Sequence, residues 1–239
     1  MSSSKTHKRF MKLTGLLNCA YSGLLLRYTS FQTKNLKGQF PGLKVDHLHV
    51  GCGDVHLPGW LNIFYDTRQE YGRFVKSGQA WVLNYDLLKP WPFQNESVNY
   101  IAGSHFIEHL DLNAGIIFVQ ESFRALKKGG VIRLSCPDLE VYARNYVSGN
   151  MNFFNHPLIR EWCTFKNART PGEIFVAKAY DSGGSHKWFY DFASLKHILE
   201  LAGFKDVRRV QRLEGKTPDL DKLEPPLREL ETVYVEACK

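Results

Sequence analysis

Two short stretches bring together residue types that can do chemistry. In Leu48 to Asp54, LHVGCGD, Gly51 and Gly53 flank Cys52. Glycines there let the backbone turn sharply and approach a ligand with no Cβ in the way. In His105 to His109, HFIEH, two imidazoles and a carboxylate follow closely on one another. Such groups exchange protons near neutral pH or ligate metals. The pattern H-x-x-E-H is also that of inverted zinc peptidases. That chemistry needs the motif inside a helix, with a further acidic ligand elsewhere. Here the motif follows directly on an apolar strand pattern, so no metal is expected. His186 and Tyr190 stand in GGSHKWFYD, and Asp66, Asp86 and Asp138 each close an apolar run.

The elements that must position these residues alternate in type. A first strand covers Val45 to Val50, and a connection too short for a crossover helix leads to a second, Trp60 to Asp66. A charged helical segment is expected over 67–76. A third strand, WVLNYD, ends at Asp86, and the two prolines of LLKPWPF make an irregular loop. A fourth strand, VNYIAG, reaches Gly103. A helix from Leu112 to Leu126 stops at Gly129-Gly130, and a fifth strand, VIRLSC, precedes Pro137. A short helix over Leu139 to Tyr146 follows. The aromatic-rich stretch 149–184 lacks periodicity and reads as a lid or acceptor-binding insertion. A helix from Phe192 to Ala202 ends at Gly203, followed by a strand from Phe204 to Leu213 and a closing strand, ETVYVEA.

This order argues for an α/β fold: a doubly wound, Rossmann-like, mostly parallel sheet of seven strands with an antiparallel C-terminal edge strand. Ligands of such sheets lie across the carboxyl ends of the strands. The positions to inspect are therefore Val50, Gly51, Cys52 and Gly53, then Asp66, then Asp86 and Leu87, then Ser104 and His105. A carboxylate ending the second strand suits ribose hydroxyls, and an acid followed by an apolar residue suits adenine. Each also has a plainer role as a loop or capping residue.

Composition sets wider bounds. The chain has 239 residues, 44% of them hydrophobic, enough for one large domain. Its formal charge of +7 favours anionic partners without choosing among them. Five scattered cysteines with no C-x-x-C point to a reducing, cytoplasmic setting. Residues 1–44 form a basic tail, MSSSKTHKR, and an amphipathic helix from Phe10 to Tyr28. The helix is too interrupted to span a bilayer. A basic flank and apolar middle also suit a secretory signal, which Asn18, Ser22 and two glycines disfavour, so the helix is expected to pack on the domain of residues 45–239 or to make peripheral contact with a membrane or partner.

Several motifs in order resemble one family. HVGCG, GWLNI, DLLKPWPFQNESVNYI, SHFIEHL, FRALKKGGVIRLSCPDLE and HKWFYDFASLKHILELAGF are similar to class I S-adenosylmethionine-dependent methyltransferases, of the bacterial type associated with cell-surface sugar biosynthesis. The resemblance covers about 48–139 and 184–207. It implies S-adenosylmethionine as cofactor, with Val50, Gly51, Cys52 and Gly53 near its methionine part. It further implies Asp86 and Leu87 facing adenine, and Ser104 and His105 near the sulfonium. The family pattern places the ribose acid where this chain has Phe64; Asp66, two residues on and so on the same strand face, is expected to substitute. His105 and His186 are the candidate bases, and His109, Asp138, His186 and Tyr190 the candidate acceptor contacts. The expected acceptor is a small hydroxylated molecule, a sugar or nucleotide-sugar. RNA methylation, prompted by Arg208, Arg209 and Arg212, is the weaker reading because no RNA-binding module is evident. A non-catalytic scaffold on the same fold is the third.

Overall fold

The computed structural model describes residues 45–161, 163–180 and 185–239. The tail and helix expected over 1–44 lie outside the described residues, as does the glycine pair at 183–184.

Apolar residues of β1 (His47–Val50) put this strand at the heart of the sheet. Leu48 and Val50 are buried, and β1 pairs in parallel with β2 (Leu61–Phe64) on one side and β5 (Val98–Ser104) on the other. With β3 (Phe74–Ser77), β4 (Ala80–Asn84), β6 (Leu126–Pro137), β7 (Lys205–Val210) and β8 (Thr232–Cys238), the order is β3-β4-β2-β1-β5-β6-β8-β7. The chain runs outward from β1 to β2 and β4, then returns to β5 beside β1. The strand order therefore reverses between β1 and β5, where an open α/β sheet leaves a crevice at its carboxyl edge. The α/β, mostly parallel architecture is the one expected.

Two details depart from the sequence reading. The segment 67–76 is not helical, and its end belongs to β3, an eighth strand paired antiparallel with β4. Gly72 and Gly78, both at positive φ, bracket it, and Phe74 stacks on Trp81 at 5.0 Å. These glycines favour a hairpin over a helix. The C-terminal strand β8 is antiparallel but lies between β6 and β7. The edge falls to β7, whose exposed Lys205, Asp206, Arg208 and Arg209 discourage pairing with another chain.

Helix α1 (Leu112–Ala125) starts where Asp111 accepts the Ala114 N–H, and it buries Phe118, Val119, Ser122 and Ala125 against the sheet. The described residues of 139–180 form α2 (Leu139–Val147), α3 (Met151–Phe154), α4 (Pro157–Glu161) and α5 (Pro171–Ala179). Tyr142, Phe153, Phe154, Ile159 and Ile174 give these helices an apolar cluster of their own. Such short helices leave no periodic signature, which is why 149–184 read as irregular. Helix α6 (Phe192–Ala202) opens on an Asp191–Ser194 capping box and closes on Gly203 at φ 106°. No described helix is long and apolar enough to cross a membrane.

Arg133, wholly buried in β6, secures the far side of the sheet. It donates to the carbonyls of Glu214, Gln211 and Arg212 and to Glu224 at 3.3 Å. These bonds hold the loop after β7 and the short α7 (Leu220–Leu223) onto the strands. Removing one partner of a buried charged network leaves the others unpaired in low dielectric. Arg133→Ala is therefore expected to cost about 3–5 kcal/mol, read as a lowered urea midpoint with little change of slope.

Candidate active site at the strand tips

The turn after β1 is built around Gly51. Its φ is +61°, and a Cβ there would lie 2.3 Å from the ring of Phe106. Only glycine satisfies both conditions, so this is where a sequence rule and a packing rule coincide. Gly53, at φ +50°, has open space where a side chain would be. Between them Cys52 is buried, and burial pushes its thiol up to about 12, so it is neither nucleophile nor base. The Cys52 N–H donates to Ile63 at 3.1 Å and ties the turn to β2.

A cleft of about 430 Å³ opens beside this turn. Gly53, Asp54 and His56 line it from the β1 side, Phe64 and Asn84 from the tips of β2 and β4, and Gln69, Arg73 and Lys76 from the hairpin side. Its volume falls within the range of small-molecule sites, and it mixes apolar faces with a few polar groups. Asn84, which the sequence reading passed over, organises one wall. Its amide donates to the carbonyls of Asp66, Gln69 and Glu70, and its oxygen accepts the Asp66 N–H at 2.8 Å. An asparagine at a strand end, able to bond backbone on both sides, was the available signal.

Asp66 lies beyond the end of β2, and its carboxylate is already engaged. Arg68 bonds both oxygens at 2.9 and 3.0 Å, and the Arg68 N–H adds a third contact. These bonds hold Asp66 well below the usual carboxylate range. Phe64, 37% exposed, lines the cleft at the position where the resembled family carries its acid. Asp86 uses one oxygen to accept the Leu88 N–H at 2.9 Å; the other has no partner among the described residues. Leu87 is buried in the main core.

Past β5 the chain parts from the expected arrangement. Ser104 donates to Glu224 at 2.9 Å and receives Ser135, so its hydroxyl joins the Arg133 network. His105, at φ 49°, has both ring nitrogens engaged. Arg228 can only donate, so at 2.9 Å it makes Nδ1 an acceptor; Nε2 then carries the proton and donates to Thr232 at 3.0 Å. Neither nitrogen is open to an acceptor molecule.

The next residues form a 3-10 turn, Ile107–His109, not the first turn of a helix. Glu108 is wholly buried, and neither of its carboxylate oxygens has a hydrogen-bond partner among the described residues. The Lys187 and Trp188 N–H groups both donate to the Glu108 carbonyl, at 2.8 and 3.2 Å, and so dock the His186 segment onto the turn. The His109 and His186 rings meet at 4.9 Å, and burial lowers the His186 pKa, leaving it neutral at pH 7. Tyr190 is fully buried and its hydroxyl has no partner among the described residues; burial pushes it far above the usual tyrosine range. Asp138 caps α2 and binds Arg209 at 2.8 Å, and burial raises its pKa.

The structure thus gathers Glu108, His109 and His186 into one cluster and leaves Ser104, His105 and Asp138 in structural bonds. Of the three arginines that suggested RNA, Arg209 pairs with Asp138 and Glu140, and Arg212 pairs with Glu229.

No family model and no curated protein matches the chain. Among solved structures, a SAM-dependent methyltransferase from Archaeoglobus fulgidus shares 16% identity over 88% of this chain and 94% of its own, with a TM-score of 0.46. One from Thermotoga maritima shares 18% over 94% and 96%, with a TM-score of 0.45. Phosphoethanolamine N-methyltransferase 2 from Haemonchus contortus shares 13% over 85% of this chain and 51% of its own, with a TM-score of 0.46. At these values the likeness carries no statement about cofactor or substrate.

The two glycines are separable by substitution. Gly51→Ala must adopt a left-handed conformation costing about 1–2 kcal/mol and displace Phe106 for about 1–3 more. Gly53→Ala meets only the first cost. Thermal melts should show Gly51→Ala losing about 1–3 kcal/mol more than Gly53→Ala; equal losses would mean that Phe106 does not rest on Gly51.

Proposed function

We propose that this chain is an S-adenosylmethionine-dependent methyltransferase acting on a small hydroxylated acceptor, a sugar or nucleotide-sugar. One observation carries the reading. A glycine turn that no other residue can make ends the central strand of a doubly wound sheet, at the point where strand order reverses, and a cleft of about 430 Å³ opens beside it. Of the cofactor residues that the resemblance implies, Gly53 lines that cleft, together with Phe64 at the family's acid position, whereas Asp66, Asp86, Ser104 and His105 stand outside its lining.

The residues fit an adenosyl group in part. Gly53 and its open neighbourhood would take the amino-acid end, and the free oxygen of Asp86 would accept an exocyclic amine. Phe64 offers a ring face in place of a carboxylate, and Asp66 reaches a ribose only by giving up Arg68. When bound, the cofactor supplies an electrophilic methyl carbon. The protein's part is then to hold the acceptor in line with that carbon and to exclude water. On the acceptor side, His109 and His186 are better placed than His105, both of whose nitrogens are engaged. The internal pairing of Arg209 and Arg212 weakens the RNA alternative.

Calorimetry with S-adenosylhomocysteine tests the reading. We expect one site per chain, weakened about tenfold or more in Asp86→Ala, since a hydrogen bond to a charged group contributes about 1.5–3 kcal/mol. Arg68→Ala frees Asp66 and should tighten binding. No heat at millimolar ligand would remove the proposal. With labelled cofactor, transfer to RNA in preference to a panel of sugars and nucleotide-sugars would replace the acceptor class.

A further inference from the structure

We infer that Glu108, His109 and His186 form a binding site for one divalent transition-metal ion of the Zn²⁺ class, held by the glutamate carboxylate and the Nε2 atoms of both histidines. One ligand atom from each of the three lies within 4.8 Å of the other two. The trio differs from the one that the H-x-x-E-H pattern names, because His105 is replaced in space by a histidine from far along the chain.

Hydrogen bonding sets both imidazoles in the form that a metal needs. His109 Nδ1 lies 3.3 Å from the Ser185 carbonyl, and His186 Nδ1 lies 3.2 Å from the Lys178 carbonyl. A carbonyl only accepts, so each Nδ1 carries the proton and each Nε2 presents a lone pair. A second bond of this kind to backbone is the usual support of a ligating histidine, fixing its tautomer and ring direction.

The carboxylate supplies the independent observation. Glu108 is 0% exposed, yet neither oxygen has a hydrogen-bond partner among the described residues. His105 Nδ1, 3.4 Å from one oxygen, has no proton to give, because Arg228 donates to it. A buried carboxylate left unpaired is costly, and proteins resolve such a group with a partner or a metal. Two imidazoles with one carboxylate favour Zn²⁺-like ions over Mg²⁺ or Ca²⁺, which prefer oxygen ligands alone. Zinc bonds of about 2.0–2.1 Å would set the ligand atoms roughly 3.3 Å apart, so the side chains need close by no more than about 1.5 Å. Three protein ligands also leave a coordination position open, as catalytic rather than closed structural sites do. Half-buried His109 marks the side from which a further ligand enters.

Metal binding is read without any methyl donor, so its failure and that of the methyl-transfer reading are distinguishable. The test uses tag-free full chain, stripped with chelator and titrated with Zn²⁺ by calorimetry, with Mg²⁺ as the control. We expect one equivalent of Zn²⁺ and no comparable Mg²⁺ binding. Glu108→Gln, His109→Ala and His186→Ala should each weaken Zn²⁺ by more than the roughly 10- to 100-fold that loss of an outer-shell partner costs. Melting temperatures give a second readout that a merely structural role would not produce. In chelator, Glu108→Gln should be at least as stable as wild type, because it removes an unpaired buried charge; in Zn²⁺ the order should reverse. Unaltered Zn²⁺ binding in the variants, no binding in the wild type, or Glu108→Gln less stable under both conditions would each overturn the inference.

Discussion

The contact of Phe106 with Gly51 is the constraint on which the site depends. The ring occupies the space that any side chain at position 51 would need. That fixes the backbone path at the tip of β1, on whose flank the cleft opens. It also fixes where the chain goes after β5, because the turn carrying Glu108 and His109 begins one residue beyond Phe106. One apolar contact therefore links the tip of β1 to the turn that carries the buried cluster of ionisable groups. The same ring packs on Phe118 of α1 at 5.1 Å, which ties the site to the main core.

The architecture was legible because it rests on local signals. Apolar runs punctuated by glycine gave β1, β2, β5 and the core of β6, and Asp191 and Gly203 delimited α6 through capping chemistry read from neighbouring residues. What escaped was decided by partners distant in sequence. Ser104 and His105 stand at the tip of β5, as expected, but Glu224, Arg228 and Thr232 from the C-terminal segment take their side chains. No spacing rule reports that. The grouping of His186 with Glu108 and His109 is likewise made by the docking of Lys187 and Trp188 onto the Glu108 carbonyl. The strand β3 was missed because Arg73 and Lys76 make its surroundings read as a charged helix, whereas Gly72 and Gly78 turn it into a hairpin.

The pairing of Asp66 with Arg68 gives the site a character of its own. An acid two residues beyond the usual place serves a ribose only if its guanidinium partner lets go. Arg68 is largely exposed while the Asp66 carboxylate is mostly covered, so water can compete for the bond from the arginine side. Cofactor affinity would then depend on how readily an exposed arginine swings away. Phe64, facing the cleft, would compensate through ring contact rather than charge.

A crystal structure of the full chain grown with S-adenosylhomocysteine tests the central claim most directly. The account predicts the adenosyl group in the cleft bounded by Gly53, Phe64 and Asn84, its amino-acid end against the Gly51 turn and its sulfur on the side of the Glu108–His109–His186 cluster. Ligand bound elsewhere, or a cleft that stays closed over Phe64 while the ligand sits away from Gly51, would contradict it.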